Sequence, residues 1–327
     1  MVVRKIQHDQ VRAEAAALSG LIDQLGDEDV MTRFGLEDRL EEIRREMSNW
    51  LLQDDEPTAS AALFFGGRPV SGKRGVESEF GAAAVSKFQD VISKVMAVRA
   101  AGSLGQRGVV PNKGASTLHI TNVVRGSFGF LLEEIEPQSQ IFDTSLKSAV
   151  EDASQLLDAF GEIDEERFRT AVEDIDERVL GTARDFFELM RQNGATLRLV
   201  TGDEDHSFGA DAVARAADRA QHTTIEDTDE RIRGYLTGIL PEAHQFEFRA
   251  LTERGTIRGK VDRSLTSQRL LEFNRDWIEV DADALVKVRR VLRNRAVVRE
   301  TYTLIGITSP EGDKSGFDDI AMRGDRP

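Results

Sequence analysis

Residues 62–80 read ALFFGGRPVSGKRGVESEF, an apolar run, a glycine-rich loop and the start of a helix. How they are read decides the fold of the central part of the chain. From Gly67 to Lys73 the spacing is G-x-x-x-x-G-K, in which backbone N–H groups cradle a phosphate and the lysine reaches its outer oxygens. Three features oppose a nucleotide-hydrolase reading. Position 74 is Arg, where the motif places the Ser or Thr hydroxyl that holds Mg²⁺. The expected helix starts near Ser78 or Glu79, one turn too late for its N-terminus to face the phosphates. Leu197–Thr201, the nearest thing to a partner strand ending in a metal-holding Asp, is interrupted by Arg198. Turn geometry alone explains a loop with Gly66, Gly67, Pro69, Gly72 and Gly75. Gly67, Gly72 and Lys73 are therefore kept as a phosphate site only in the last-ranked reading.

Outward from this loop, Ala61–Phe65 reads as a buried strand and Glu79–Ala101 as a helix with Phe80, Ala84, Phe88, Val91, Ile92, Val95 and Met96 inward. TLHITNVVRGSFGFLLEEIE reads as a β-hairpin turning near Arg125–Gly126. In it Leu118, Ile120 and Asn122 share one face, and Phe128, Phe130 and Leu132 share another on return. Thr144–Phe160 is an amphipathic helix. Asp164 caps a second helix expected to run to Asn193–Gly194, with Gly181 a candidate interruption. A strand at Leu197–Thr201 and an alanine-rich helix at Ala210–Ala220 complete an α+β domain over residues 60–222.

Before it, residues 1–55 carry two helices. Leu36, Leu40, Ile43, Met47 and Trp50 recur at 4-3-4-3 spacing, a narrow stripe suited to a helical hairpin or to an oligomer interface with a second copy. After it, RIRGYLTGIL, QFEFRAL and GTIRGKV are strand-like. LTSQRLLEFN is a short helix, and ALVKVRRVL and ETYTLIGI are two more strands about an Arg293–Asn294–Arg295 turn. Three strands, a helix and two strands over residues 228–308 give the order of the OB-fold, a small five-stranded barrel. Residues 309–327 read as a disordered tail.

Composition narrows the function classes. The chain has 327 residues, no cysteine and a formal charge of −15. No apolar run is long enough to cross a bilayer, and the first residues lack a signal-peptide pattern, so the expected address is the cytoplasm and no membrane partner is expected. Without cysteine there is no thiolate metal site or cysteine nucleophile. His8, His119, His206, His222 and His244 never fall at metal-ligand spacing. Asp203, Glu204 and Asp205 beside His206 read as a solvated acidic loop ahead of a helix rather than a cation site. No metal and no cofactor is expected, no nucleophile motif is present, and no catalytic residue is assigned.

Charge is unevenly spread: residues 246–307 hold 13 Lys/Arg against 9 Asp/Glu, and residues 1–245 hold 27 against 44. Arg258, Lys260, Arg263, Lys287, Arg289, Arg293 and Arg295 would gather as a basic patch on the barrel. The reading is a non-catalytic interaction or scaffold protein in a multi-protein or homo-oligomeric assembly, docking through that patch. The alternative is a nucleic-acid-binding accessory factor holding single strands on the barrel. A nucleotide-binding enzyme built on Gly67–Lys73 comes third.

Overall fold

β1 (Ser60–Gly67) is apolar at five consecutive positions because both of its faces are covered. It is the middle strand of a sheet ordered β2-β3-β1-β4-β5, with β2 (His119–Val124), β3 (Gly129–Glu133), β4 (Ala195–Thr201) and β5 (Glu204–Phe208). Every neighbouring pair is antiparallel. This computed structural model describes residues 4–26, 29–50, 57–105, 108–124, 128–135 and 142–310. The hairpin turn at Arg125–Gly126, most of the linker LLQDDEPTAS and nearly all of the expected tail lie outside the described residues.

One side of the sheet, with Leu63 and Phe65, meets α3 (Ser78–Ala101), α4 (Ser145–Gly161) and α6 (Glu177–Gln192). Phe65 and Phe80 meet edge to face at 5.3 Å, and the Phe160, Phe187 and Phe208 rings follow one another at about 6 Å, tilted in their planes. On the other side Ala62, Phe64, Leu131 and Val200 close over Ile6 of α1 (Arg4–Gln24). α1 packs against α2 (Val30–Trp50), forming a hairpin of two 21-residue helices. Arg198, read as an interruption, holds α1 down. It lies 5.5 Å from the Phe64 ring centroid and pairs with Asp205 at 2.6 Å and Asp9 at 3.4 Å.

Three local expectations change. The long helix after Asp164 is two helices, α5 (Glu165–Val172) and α6, and the break falls before Asp176 rather than at Gly181. Asp176 caps α6 by accepting from Arg178 N at 2.8 Å and also takes the Leu104 amide at 2.9 Å. GDEDHSF is not a loop: Gly202, at φ +54, turns the chain, and Glu204–Phe208 pairs with β4. In β2 a bulge at Thr121 advances the pairing from Ile120↔Leu132 to Asn122↔Leu131. Ile120 and Val123 thereby share the face of Leu132 and Phe130, and Asn122 turns to the opposite one.

Contacts divide the chain into Met1–Gln221 and His222–Pro327, the first beginning with the helical hairpin and ending in α7 (Ala210–His222). The second unit is a closed barrel ordered β10-β8-β7-β6-β9. Its strands are β6 (Thr223–Leu240), β7 (Gln245–Ala250), β8 (Thr256–Val261), β9 (Asp281–Arg293) and β10 (Ala296–Thr308), with α8 (Ser267–Trp277) between the third and fourth. The molecule is thus mixed helix and strand, α+β, with one open sheet and one barrel. Phe246, Phe248, Ile257, Val286, Val288 and Leu304 fill the barrel, and Leu270 and Phe273 of α8 close one end. The parallel β8–β10 contact needs Gly259, where a Cβ would sit 2.1 Å from the Tyr302 carbonyl oxygen.

β6 has 18 residues and β9 and β10 have 13 each, while β7 and β8 have six. The surplus of the long strands, 223–231, 285–293 and 296–302, continues past the short ones as a three-stranded antiparallel ribbon, whose base still lends Val286 and Val288 to the barrel core. Asn294 and Arg295, at φ +51 and +68, make the two-residue turn between β9 and β10.

Candidate interaction surfaces

The glycine-rich loop leaves a strand flanked on both sides by antiparallel neighbours and rejoins the fold at α3, which starts at Ser78. Gly67, at φ +83, is required by packing: a Cβ there would lie 2.2 Å from the Gly194 carbonyl oxygen. Gly72, at φ +55, shapes a turn in open space. A bridge between Val70 and Val76 ties the loop's two ends together. Lys73 and Arg74 are exposed and face a groove beside β2. The loop thus places two cations beside the sheet's outermost strand.

The barrel's basic residues come together only in part, and β6 changes their meaning. The strand expected to begin at Arg231 begins at Thr223, so it includes Glu226, Asp227, Asp229 and Glu230. Register sets Asp229 opposite Lys287, Asp227 opposite Arg289 and Glu226 opposite Arg290. Arg258 pairs with Glu247 at 2.9 Å. Lys260, Arg289 and Arg293 engage neighbours of their own. Arg263 is exposed after β8, and Arg295 at the tip of the ribbon. Over residues 223–308 there are 15 Lys/Arg against 14 Asp/Glu, so the excess of cations counted from residue 246 nearly vanishes once β6 is included.

On the ribbon's other face Arg290 donates to Glu300 at 2.8 Å and to Glu230, which Arg254 also holds at 2.7 Å. Tyr302 donates to Glu300 at 2.5 Å. Burial opposes ionisation of Glu230, but the Arg254 and Arg290 guanidinium groups outweigh it and hold its carboxyl below the usual range. Burial first, and then the Glu300 carboxylate, pushes the Tyr302 phenol up to about 12. The network is internally compensated.

No family model, curated protein sequence or solved structure matches the chain.

The α2 stripe is largely spent inside the chain. Leu40 and Ile43 are buried, Leu36 and Met47 are half-buried, and the Trp50 side chain lies outside the described residues. Exposed apolar groups gather instead where the two helices meet: Met31 is 84% exposed and Phe34 69%, with Val30 and Leu21 also open. Sequence periodicity points to the stripe, because it repeats; the end of the hairpin has no repeat to reveal it.

His206 receives both of its ring nitrogens' contacts from carboxylates, Asp158 at 3.1 Å and Glu204 at 3.2 Å. Burial lowers its basicity, but Asp158 and then Glu204 outweigh it and raise the imidazole's pKa above the ordinary value. Asp205 faces the other way, held by Arg198, whose hydrogen bond lowers its pKa against the effect of burial. Among the described residues no cluster of three or more His, Cys, Asp or Glu is arranged to hold a metal ion. Lys94, unnoticed in the sequence, links α3 to Thr182 of α6, and burial pulls its pKa down. No helix among the described residues is long and apolar enough to cross a membrane.

Proposed function

We propose that this is a non-catalytic interaction protein that works in an assembly, in its simplest form with further copies of itself, and that the outer end of the α1–α2 hairpin makes the principal contact. The observation that carries this is the cluster of Met31, Phe34, Val30 and Leu21, exposed together at the end of a hairpin whose middle is packed. Large apolar side chains grouped on a surface mark contact sites more often than single ones do. The barrel's basic docking face is narrower than its residues imply, because β6 faces Lys287 and Arg289 with carboxylates. Light scattering on the purified chain is the test: it should exceed 36.3 kDa at roughly micromolar concentration. Met31→Asp with Phe34→Asp should return it to monomer without lowering its melting temperature. A wild-type chain that stays monomeric up to about 100 μM overturns the reading.

A second reading rests on the strand order, which we take as that of an OB-fold, the barrel that often holds single-stranded nucleic acid. Sequence-tolerant binding of that kind needs stacking platforms. Phe246 and Phe248 are inside the barrel, and half-buried Trp277 and Tyr302 pack against its core, which leaves half-buried Tyr235 on the outer side of β6. Single-stranded binding should therefore be weak at physiological salt. Tight binding abolished by Arg289→Glu, with a log–log salt slope of about −0.7 per neutralised phosphate, would favour this reading instead. The nucleotide-hydrolase reading keeps only its loop. Purified protein should not turn over ATP or GTP, and turnover lost in Lys73→Ala would restore that reading.

A further inference from the structure

Among the described residues β2 pairs only with β3, and no described strand lies along its other edge. Open edges invite strand pairing, and proteins commonly blunt them. This one keeps apolar side chains in solvent: Ile120 is 55% exposed and Val123 44%. The bulge at Thr121 puts both on one face, beside Phe128 and beneath Lys73 and Arg74, in a groove of about 770 Å³. The Val123 N–H is not part of the β3 ladder; it donates to Oδ1 of neighbouring Asn122 at 2.8 Å. An incoming carbonyl can replace that side-chain contact at little cost. Lys73 and Arg74 are exposed and, among the described residues, form no ion pair.

We propose that this groove is a second contact site, which binds an extended segment of a partner protein by strand addition to β2. The inference rests on the reading of the chain as an interaction protein. The segment's chemistry follows from the lining. Backbone groups pair with the open edge at Val123, apolar side chains cover Ile120, Val123 and Phe128, and carboxylates meet Lys73 and Arg74. Successive side chains of a strand point to opposite faces, so apolar residues and carboxylates set two positions apart share the face of the groove and meet all three demands. The loop of Gly67–Lys73 thus supplies cations to a peptide groove, and its glycines provide the turn that delivers them.

The probe is a fluorescein-labelled peptide of Val-Thr-Glu-Thr repeats, which sets valine and glutamate on one face, titrated against the full chain and followed by anisotropy. Saturable binding is expected, with none for the analogue carrying lysine in place of glutamate. Lys73→Glu with Arg74→Glu should weaken it about tenfold, the combined effect of two partly exposed ion pairs. Val123→Pro should abolish it while sparing the sheet, because the amide it removes is outside the β3 ladder. If that variant fails to fold, hydrogen exchange on the wild-type chain decides: the Val123 amide should gain protection when peptide is added. No binding, binding indifferent to the charge reversals, or an unprotected Val123 amide would each overturn the proposal. Light scattering keeps the two readings apart, since loss of peptide binding with self-association intact refutes the groove alone.

Discussion

Arg219→Met should destabilise the first unit by about 4 kcal/mol, mostly through orphaned helix carbonyls rather than a broken ion pair. Arg219 lies on α7 and is 1% exposed, and its Nη1 donates to the carbonyls of Ala159, Phe160 and Glu162 at 3.1, 3.1 and 2.6 Å. The first two are carbonyls that α4 cannot satisfy at its own C-terminus, and the third belongs to its C-cap residue. At the lower bound of about 1 kcal/mol for each acceptor left dry, three of them cost about 3 kcal/mol. Losing the guanidinium from its place 4.7 Å from the Phe168 ring centroid adds about 1 kcal/mol. Methionine keeps the aliphatic stem and so leaves little cavity. Glu165, paired at 2.8 Å, is 38% exposed, so its freed carboxylate turns to water and contributes less than about 1 kcal/mol. For a unit of this size the total corresponds to a melting temperature lower by roughly 8–16 °C. Thermal unfolding by near-UV circular dichroism reads the shift, and hydrogen exchange over residues 145–172 should show the loosening at α4 and α5. Glu165→Gln alone should shift melting by only a degree or two at most, roughly, as an exposed pair does. If Arg219→Met melts within about 2 °C of wild type, or the two variants melt alike, the carbonyl account is wrong.

The two glycines of the loop should differ. Gly67→Ala combines a positive φ with a 2.2 Å approach to Gly194 and should cost at least about 2 kcal/mol, whereas Gly72→Ala, in open space, should cost about 1 kcal/mol in urea titrations. His206 has a raised folded-state pKa, so its contribution is fully present below the unfolded value of about 6.5 and is lost as pH rises through the folded one. Unfolding free energy measured from pH 5 to 9 should fall across that window in wild type and not in His206→Gln, and equal slopes would refute the assignment. Arg290→Met leaves Glu230 and Glu300 without their shared cation and should destabilise the barrel by about 3 kcal/mol; Arg290→Lys should recover only part of it, both read by chemical denaturation.

Where side-chain pattern and burial coincide, the sequence can be read directly. Ala61–Phe65 is apolar throughout and is buried on both faces, and the barrel strands alternate as their interior requires. β5 escapes that reading because two of its three inward positions are Glu204 and His206, satisfied by Gln155 and Asp158 of α4 rather than by apolar neighbours. The first half of β6, TTIEDTDE, escapes it for a related reason: it belongs to the ribbon, where no barrel core demands apolar residues. The same blind spot distorted the candidate surface. Cations at 287–290 are plain in the sequence, but the carboxylates facing them lie about sixty positions earlier, and only register brings them together. The β2 groove has no signature at all, since its cations and its open strand come from segments more than forty residues apart.

The ribbon also sets the order in which the barrel can assemble. β9 and β10 join across two residues, so their hairpin can form on the microsecond scale of local contacts. β6 meets β9 only by pairing residues that are 46 apart in the chain at Tyr235↔Asp281 and 70 apart at Thr223↔Arg293, with the entropy of that closure to overcome. Opposed charges at three positions then act as a key. A shift of one residue carries Asp227 and Asp229 to the wrong face, and a shift of two leaves one of them without its cation. Barrel closure is accordingly the slow step, and the carboxylates that neutralise the outer face are also what make the late strand arrive in only one alignment.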